Sequence, residues 1–123
     1  MTHKTTLVTL TYGDRFNYLH TLVSRSLESP LIDRVIIVSN ASTSPLDTLR
    51  RTWPDQVSVI YMHENTGSAR GYSVGIQAAL DAGAEHIWLM DDDNAPTINA
   101  IATLHQVLDE RKRLDGEDKA AVL

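Results

Sequence analysis

Several residue types and patterns are absent or scarce, and each absence excludes a class of protein. The 123 residues contain no cysteine, which excludes disulfides, zinc–thiolate sites and thiol nucleophiles. Positive charge is also scarce, because 11 Lys and Arg stand against 16 Asp and Glu, for a formal net charge of -5. Binding along a nucleic acid polymer needs a basic face. This composition therefore argues against that class, whereas a local site for a single nucleotide is compatible with it.

Long hydrophobic runs are missing as well. Residues 1–13 hold one lysine and an apolar run interrupted by threonines, which fits neither a secretory signal nor a membrane-spanning helix. We expect a cytoplasmic protein, at most peripheral to the membrane as part of a longer polypeptide. The length and the 42% hydrophobic and 22% charged content predict one globular domain over residues 1–123.

The glycine-rich phosphate-binding motifs are also absent. There is no G-x-x-x-x-G-K-[ST], and Gly67, Gly71 and Gly75 do not form G-x-G-x-x-G after a strand, so neither a P-loop nor a dinucleotide-binding motif is indicated. Residues 65–71 nevertheless place small residues and Arg70 at the start of a predicted helix. Two interpretations stay open: backbone amides and Arg70 facing an anion, or a tight turn whose glycines let the helix lie close to a sheet.

Apolar patterns that are present alternate between strand and helix periodicity. The predicted strands cover residues 5–10, 35–38, 57–62 and 86–90. The predicted helices cover residues 14–28, 44–51, 68–82 and 97–108, with N-caps at Asp14, Ser44 and Thr97 and a C-terminal cap at Gly83. The last four residues resemble a fifth strand cut short. The alternation predicts an α/β fold with a mostly parallel sheet between two helical layers.

The loops after the first, second and fourth strands carry the most distinctive polar residues. They cover residues 11–14, 39–42 and 91–94. Ligands in such folds bind at the carboxyl ends of the strands, near the switch point of strand order, so we expect these loops to face one crevice.

Three consecutive acids, Asp91, Asp92 and Asp93, end the fourth predicted strand. Adjacent carboxylates repel one another and favour a hard divalent cation, which prefers oxygen ligands. Side chains at i and i+2 of a strand point the same way, so Asp91 and Asp93 can converge on one ion. The alternative is a solvated loop that caps the following helix.

Four segments, in order and spacing, resemble the N-terminal half of the family 2 glycosyltransferases, which have the GT-A (Rossmann-like) fold. They are LVTLTY at 7–12, VIIVSNAS at 35–42, NTGSARGYSVG at 65–75 and WLMDDD at 88–93. The resemblance runs over about residues 7–96 and is greatest to rhamnosyl- and galactofuranosyltransferase-like members. Ser39 stands where members of the family usually carry an acid.

The resemblance implies a site for a UDP- or dTDP-sugar donor and a divalent cation, Mn²⁺ or Mg²⁺. Thr11 and Tyr12 would flank the base and ribose, Asn40 would lie beside the pyrimidine ring, Asp91 would contact the ribose or sugar, and Asp93 would hold the cation. The implied substrate-binding residues are Thr11, Tyr12, Asn40, Gly67, Arg70, Asp91 and Asp92; the implied metal ligands are Asp93 and Asp91.

The implied reaction is inverting transfer of the sugar to a hydroxyl of a saccharide or lipid-linked acceptor, as in cell-wall or polysaccharide biosynthesis. In the family, the acceptor site and the general base lie beyond the first half of the fold. We therefore expect no catalytic base before Leu123 and a chain truncated after its fourth helix, which holds the donor-binding half and is inactive alone.

Two other functions compete with this one. A phosphotransferase could use Asp91 as an aspartyl nucleophile, but in the folds that this chemistry suggests the nucleophile follows the first strand, not the fourth. A non-catalytic nucleotide-binding or assembly module could instead self-associate through an incomplete sheet edge, because an unpaired strand is a template for pairing.

Overall fold

The computed structural model describes residues 5–93 together with Thr103 and Gln106. Four strands alternate with three helices over residues 5–93. They are β1 (Thr5–Gly13), α1 (Phe16–Leu27), β2 (Ile32–Ser42), α2 (Asp47–Thr52), β3 (Val57–Met62), α3 (Ser68–Asp81) and β4 (His86–Leu89).

The four strands form one sheet in the order β3-β2-β1-β4. Every described pairing is parallel, with Leu7 of β1 opposite Val35 of β2 and Trp88 of β4, and Val35 opposite Val57 of β3. The predicted α/β fold with a parallel sheet is confirmed. The chain moves outward from β1 to β3 and then returns to the other side of β1, which places the switch point between β1 and β4.

Helices cover both faces of the sheet, as right-handed crossovers require when the direction of winding reverses. On one face, α1 and α2 bury a large apolar cluster that includes Leu7, Leu22, Ile37 and Leu49. On the other face, α3 packs over a smaller cluster built on Val8, Ile36 and Ala79. The sheet is therefore the middle of three layers.

The face that α3 turns toward the sheet consists of small residues, Gly71, Gly75 and Ala79. A β-carbon on Gly71 would overlap Leu10, and one on Gly75 would overlap Val8, so the predicted close approach of the helix is confirmed. Ala69 and Leu80 of the same helix are exposed although both are apolar, because the glycines rather than the larger apolar residues face the sheet.

Two predicted N-caps are wrong, and one C-terminal cap is confirmed. Helix α1 begins after Arg15 and α2 after Leu46, neither with a side-chain cap. The reason is a tertiary contact, since Ser44 Oγ accepts the N–H of Arg15 at 3.1 Å instead of capping its own helix. Gly83 has φ of 85°, and its N–H and that of Ala84 bond to Leu80 and Ala79, which is a Schellman motif.

Strand lengths also differ from the prediction. β3 has the predicted bounds, whereas β1 and β2 continue to Gly13 and Ser42 because their polar ends still pair, with Thr11 opposite Ser39 and Gly13 opposite Ser42. The predicted fourth helix lies outside the described residues except for Thr103 and Gln106, which are helical. Over the part of the chain that is described, no helix has the length and apolar content needed to cross a bilayer.

Candidate functional site

The acidic triplet follows β4 after one intervening residue, Met90, and lies beside the end of β1. Because the strands are parallel, the loops after β1, β2 and β4 share the carboxyl edge of the sheet, as predicted. The N–H of Met90 bonds to the carbonyl of Val8 at 3.1 Å, so main-chain hydrogen bonding to β1 extends to the residue before Asp91. The triplet thus flanks the switch point, where this type of sheet opens a crevice.

The middle acid of the triplet is turned into the protein. Asp92 is only 4% exposed, and its Oδ2 accepts two hydrogen bonds, from the Thr11 hydroxyl at 3.0 Å and from Arg15 Nε at 2.8 Å. Burying a carboxylate is costly unless it is paired and hydrogen-bonded, and these two donors supply both. Asp92 therefore joins the end of β4 to the end of β1 and the start of α1.

Arg15 is itself held by its surroundings. Its guanidinium lies 5.0 Å from the ring centre of Tyr12 and 5.5 Å from that of Tyr18, distances at which cation–π attraction contributes. The hydrogen bond to Asp92 is the main reason that the pKa of Arg15 is raised above its ordinary value. The Nη2 of Arg15 also lies 3.7 Å from Asp93 Oδ2. Arg15 is thus the positive partner of the triplet.

The two outer acids are exposed, unlike Asp92. Asp93 has 56% of its side chain exposed. Asp91 accepts a hydrogen bond from the Tyr72 hydroxyl at 3.2 Å, and the same hydroxyl lies 3.3 Å from the Met90 carbonyl. Burial, and then the charge of Asp91, raise the pKa of Tyr72 well above its ordinary value, so this phenol stays a neutral donor. Tyr72 therefore steadies Asp91 from α3.

Asn40 lies at the end of β2 and ties that strand to the loop before α3. Its side chain is 2% exposed. Its Nδ2 donates to the carbonyl of Gly67 at 3.3 Å, while its Oδ1 accepts the N–H of Thr66 at 2.9 Å. A primary amide is the side chain that satisfies a neighbouring carbonyl and N–H at once. Asn40 thus sets the position of the loop that begins α3.

Gly67 and Arg70 stand at the start of α3. Gly67 is the N-cap, with φ of 89° and no side-chain cap, a conformation that glycine adopts without strain. Arg70 is exposed in the first turn. Free backbone amides at a helix start attract anions, and Arg70 adds a full positive charge beside them.

The loops after β1 and β2 are joined to each other as well. Ser42 Oγ donates to the carbonyl of Gly13 at 2.8 Å, and the N–H of Thr43 reaches the same carbonyl at 2.9 Å. The carboxyl edge is therefore a network, in which Thr11, Asn40 and Asp92 are buried members and Tyr12, Gly67, Arg70, Asp91 and Asp93 are exposed ones. Contact of any of them with a ligand stays a prediction.

The acidic side chains fit a cation shared with a bound phosphate better than a site made of protein alone. Residues 5–93, Thr103 and Gln106 include no group of three or more His, Cys, Asp or Glu placed to hold a metal. Mg²⁺ is usually held by one or two carboxylates while substrate phosphates and water complete its shell. The exposed carboxylates of Asp93 and Asp91 match that donor set.

Sequence reasoning missed Arg15 and Tyr72. Each contacts an acid that is distant in sequence, 77 residues away for Arg15 and 19 for Tyr72. The one available signal was position: Arg15 follows the first strand, whose end was expected beside the acids, and a buried acid there needs a cation.

Curated relatives resemble the chain over part of its length. The galactofuranosyltransferase GlfT1 of Mycobacterium tuberculosis (strain H37Rv) is 34% identical over 80 residues, which cover 63% of this chain and 26% of the relative. GlfT1 of Mycolicibacterium smegmatis is 34% identical over 64 residues, covering 52% of this chain and 21% of the relative. The matched part is thus about a quarter of the length of these relatives.

Solved structures share the fold. The 1–349 fragment of S. aureus TarS, crystallised in complex with UDP, superposes with a TM-score of 0.70 at 18% identity, over 87% of this chain and 32% of that fragment. The mannosyltransferase PcManGT of Pyrobaculum calidifontis, in complex with GDP-Man and Mn²⁺, gives 0.68 at 20% identity, over 88% of this chain and 33% of PcManGT. The predicted GT-A fold is confirmed.

The family assignment rests on the sequence as a whole rather than on one motif. The sequence profile of glycosyl transferase family 2 matches residues 6–114, which include the acidic triplet and all four strands except the first residue of β1. The chain therefore belongs to glycosyl transferase family 2.

Proposed function

We propose that this chain carries the donor site of a glycosyltransferase that takes a UDP- or dTDP-sugar together with Mn²⁺ or Mg²⁺. The observation that carries the proposal is the division of the triplet at the switch point: Asp92 is buried, while Asp91 and Asp93 stay exposed at the edge where this fold binds ligands. Family membership and the nucleotide complexes of the structural neighbours support it.

Each exposed group at the edge has a role in this proposal. Asp93 holds the cation, with Asp91 as a second ligand or as a contact to the ribose or sugar. The backbone amides at the start of α3 and the Arg70 side chain face the diphosphate. Tyr12, which is 50% exposed, packs against the base.

The buried groups act behind that surface. Asn40 holds the Gly67 loop in place beside the pyrimidine ring, and Thr11 supports Asp92. A divalent cation in this position stabilises the departing nucleoside diphosphate as a Lewis acid.

The full protein then transfers the sugar, with inversion, to a hydroxyl of a saccharide or lipid-linked acceptor. Such a transfer also needs a general base to take the proton of the attacking hydroxyl. We assign that base to none of the described residues, because in this scheme Asp91 and Asp93 are engaged by the donor and its cation and Asp92 is engaged by Thr11 and Arg15.

Nucleotide titration of the purified protein tests the donor site. UDP and dTDP are titrated with and without Mn²⁺ against the wild type, Asp93→Ala and Asp55→Ala, with the heat of binding as the readout. Asp55 is a matched control, since it is an exposed acid just before β3, at the opposite edge of the sheet.

We expect Mn²⁺-dependent binding that survives Asp55→Ala and weakens at least about tenfold in Asp93→Ala, the scale on which metal sites respond to lost coordination. Binding that is equal in all three proteins would remove Asp93 from the site. A wild type that binds neither nucleotide at millimolar concentration would refute the donor site itself.

A further inference from the structure

The three acids of the triplet are sharply unequal in their surroundings. Asp92 is 4% exposed and accepts two short hydrogen bonds at one oxygen. Its neighbours, Asp91 and Asp93, are exposed. A chain segment with one buried side chain between two exposed ones has little freedom to rotate about its axis. The buried carboxylate is thus the point at which this segment is anchored.

The anchor reaches into two other elements. Thr11 belongs to β1 and is fully buried, so its hydroxyl is fixed by the sheet. Arg15 precedes α1, and its guanidinium is bracketed by the rings of Tyr12 and Tyr18. Both donors are therefore held in place by contacts outside the triplet. Their positions determine where the Asp92 carboxylate lies.

The same guanidinium faces an outer acid. Arg15 donates through Nε to Asp92, while an Nη2 lies 3.7 Å from Asp93. The planar fork of an arginine presents these nitrogens at fixed angles, which a lysine cannot reproduce. Because one rigid guanidinium faces both Asp92 and Asp93, the position of Asp93 depends on that of Asp92.

We propose that Arg15 and Asp92 are positioning residues, which hold Asp91 and Asp93 in the arrangement that binds a divalent cation with a nucleoside diphosphate. This inference rests on the proposed function. Neither residue touches the cation or the nucleotide. Asp92 acts as an acceptor of hydrogen bonds rather than as a negative charge or a ligand.

Two substitutions at Asp92 separate geometry from charge. Both donors bond to the same oxygen, Oδ2, so the single amide oxygen of asparagine can accept both. Asp92→Asn therefore keeps the anchor and removes the charge, whereas Asp92→Leu removes both and keeps only the branched shape of the side chain. We expect the affinity for Mn²⁺ in the presence of UDP, measured by electron paramagnetic resonance, to stay within about threefold in the first variant and to fall about tenfold or more in the second.

Substitutions at Arg15 distinguish positioning from a pure charge effect, because the two predict opposite changes in Mn²⁺ affinity. If Arg15 acted only through its charge, Arg15→Met would tighten Mn²⁺ binding, because a cation next to the site would be gone. Positioning predicts weaker binding instead. Arg15→Lys, which keeps the charge and is the milder change for folding, is also expected to weaken binding, because it loses the fork.

A second readout needs no metal. Arg15 Nε–H is expected to give a slowly exchanging cross-peak in the ¹H–¹⁵N spectrum of the wild type and of Asp92→Asn, and to lose that protection in Asp92→Leu. This result holds even if the wild type binds neither nucleotide nor Mn²⁺, so failure of the donor site and failure of the anchor are distinguished.

Three outcomes would overturn the inference. They are equal losses of Mn²⁺ affinity in Asp92→Asn and Asp92→Leu, tighter Mn²⁺ binding in Arg15→Met, and an unprotected Arg15 Nε–H in the wild type. Urea unfolding of each variant accompanies the titrations, and a variant that is unfolded under the assay conditions is judged by the milder substitution at the same position.

Discussion

Gly75 of α3 lies so close to Val8 of β1 that a β-carbon on Gly75 would overlap Val8 Cγ1 and press on Val38 Cγ2. The helix can approach the sheet to this distance only without a side chain there. Because the start of the same helix carries Gly67 and Arg70, the depth of this packing also sets where the proposed diphosphate contacts lie relative to the ends of β1 and β2.

We expect Gly75→Ala to destabilise the fold although alanine favours helices. An extra methyl in a packed core costs about 1–3 kcal/mol, and the gain in helix propensity offsets about 0.5–1 kcal/mol of that. The matched control is Gly71→Ala, where the overlapping atom is the end of the flexible Leu10 side chain. Urea unfolding should rank Gly75→Ala below Gly71→Ala in stability; a Gly75→Ala protein at least as stable as the wild type would contradict the packing.

Removal of the Asn40 amide is expected to release the loop before α3. Asn40→Ala leaves the Thr66 N–H without its acceptor, while the Gly67 carbonyl keeps the N–H of Gly71, and an unsatisfied donor shielded from water costs about 1–3 kcal/mol. The matched control is Asn65→Ala, because Asn65 Oδ1 accepts the N–H of Gly67 at an exposed position where water can replace it. Exchange of the Thr66 amide hydrogen should quicken far more in Asn40→Ala than in Asn65→Ala. The reverse order would show that the Asn40 side chain does not hold the loop in place.

The Tyr72 hydroxyl should make stability fall at alkaline pH. Folding raises its pKa above the ordinary value of 10.0, chiefly through burial and then through the charge of Asp91. The contribution of the neutral phenol to folding stability is therefore fully present below the ordinary pKa, and it is lost as the pH rises toward the higher pKa of the folded protein. Tyr72→Phe removes the titrating group, so its urea midpoint should decline less than that of the wild type between about pH 9 and about pH 11. Parallel declines in the two proteins would assign the alkaline loss to other groups.

Arg70 is expected to recognise the diphosphate rather than the nucleoside. Arg70→Gln removes a charge beside the first turn of α3, and hydrogen bonds to charged groups contribute about 1.5–3 kcal/mol, so UDP should bind about tenfold or more weakly. Uridine binding should not change. Arg51→Gln is the matched control, since Arg51 is exposed in the last turn of α2. Equal losses for UDP and uridine would place Arg70 elsewhere in the site.

Local patterns were enough to predict the order and type of every described element. The segment 57–62 was predicted as a strand with its observed bounds, and Gly83 ended α3 as expected, because both depend on short-range sterics and hydrogen bonds. The ends of β1 and β2 were predicted too short. Their polar residues look like loops in isolation, yet pair because the neighbouring strand supplies partners.

The candidate site was predicted as a set of loops and not as a set of contacts. Asp91 and Asp93 were singled out from spacing alone; both are exposed, and their binding of a cation stays a prediction. The caps proposed for Asp14 and Ser44 failed for the same reason that Arg15 was overlooked, since Ser44 is engaged by the loop that contains Arg15. No periodicity records a contact between loops that are 29 residues apart.

The sequence by itself determined the family, which rests on the match over residues 6–114. It also determined the alternation of strands and helices and the presence of three acids at a strand end, because these follow from residues adjacent in the chain. Only the tertiary structure decided which acid is buried. The return of the chain from β3 to β4 brings Asp92 against Thr11 and Arg15. A carboxylate can be buried at this position because Thr11 and Arg15 donate hydrogen bonds to it, which offsets the cost of removing its charge from water.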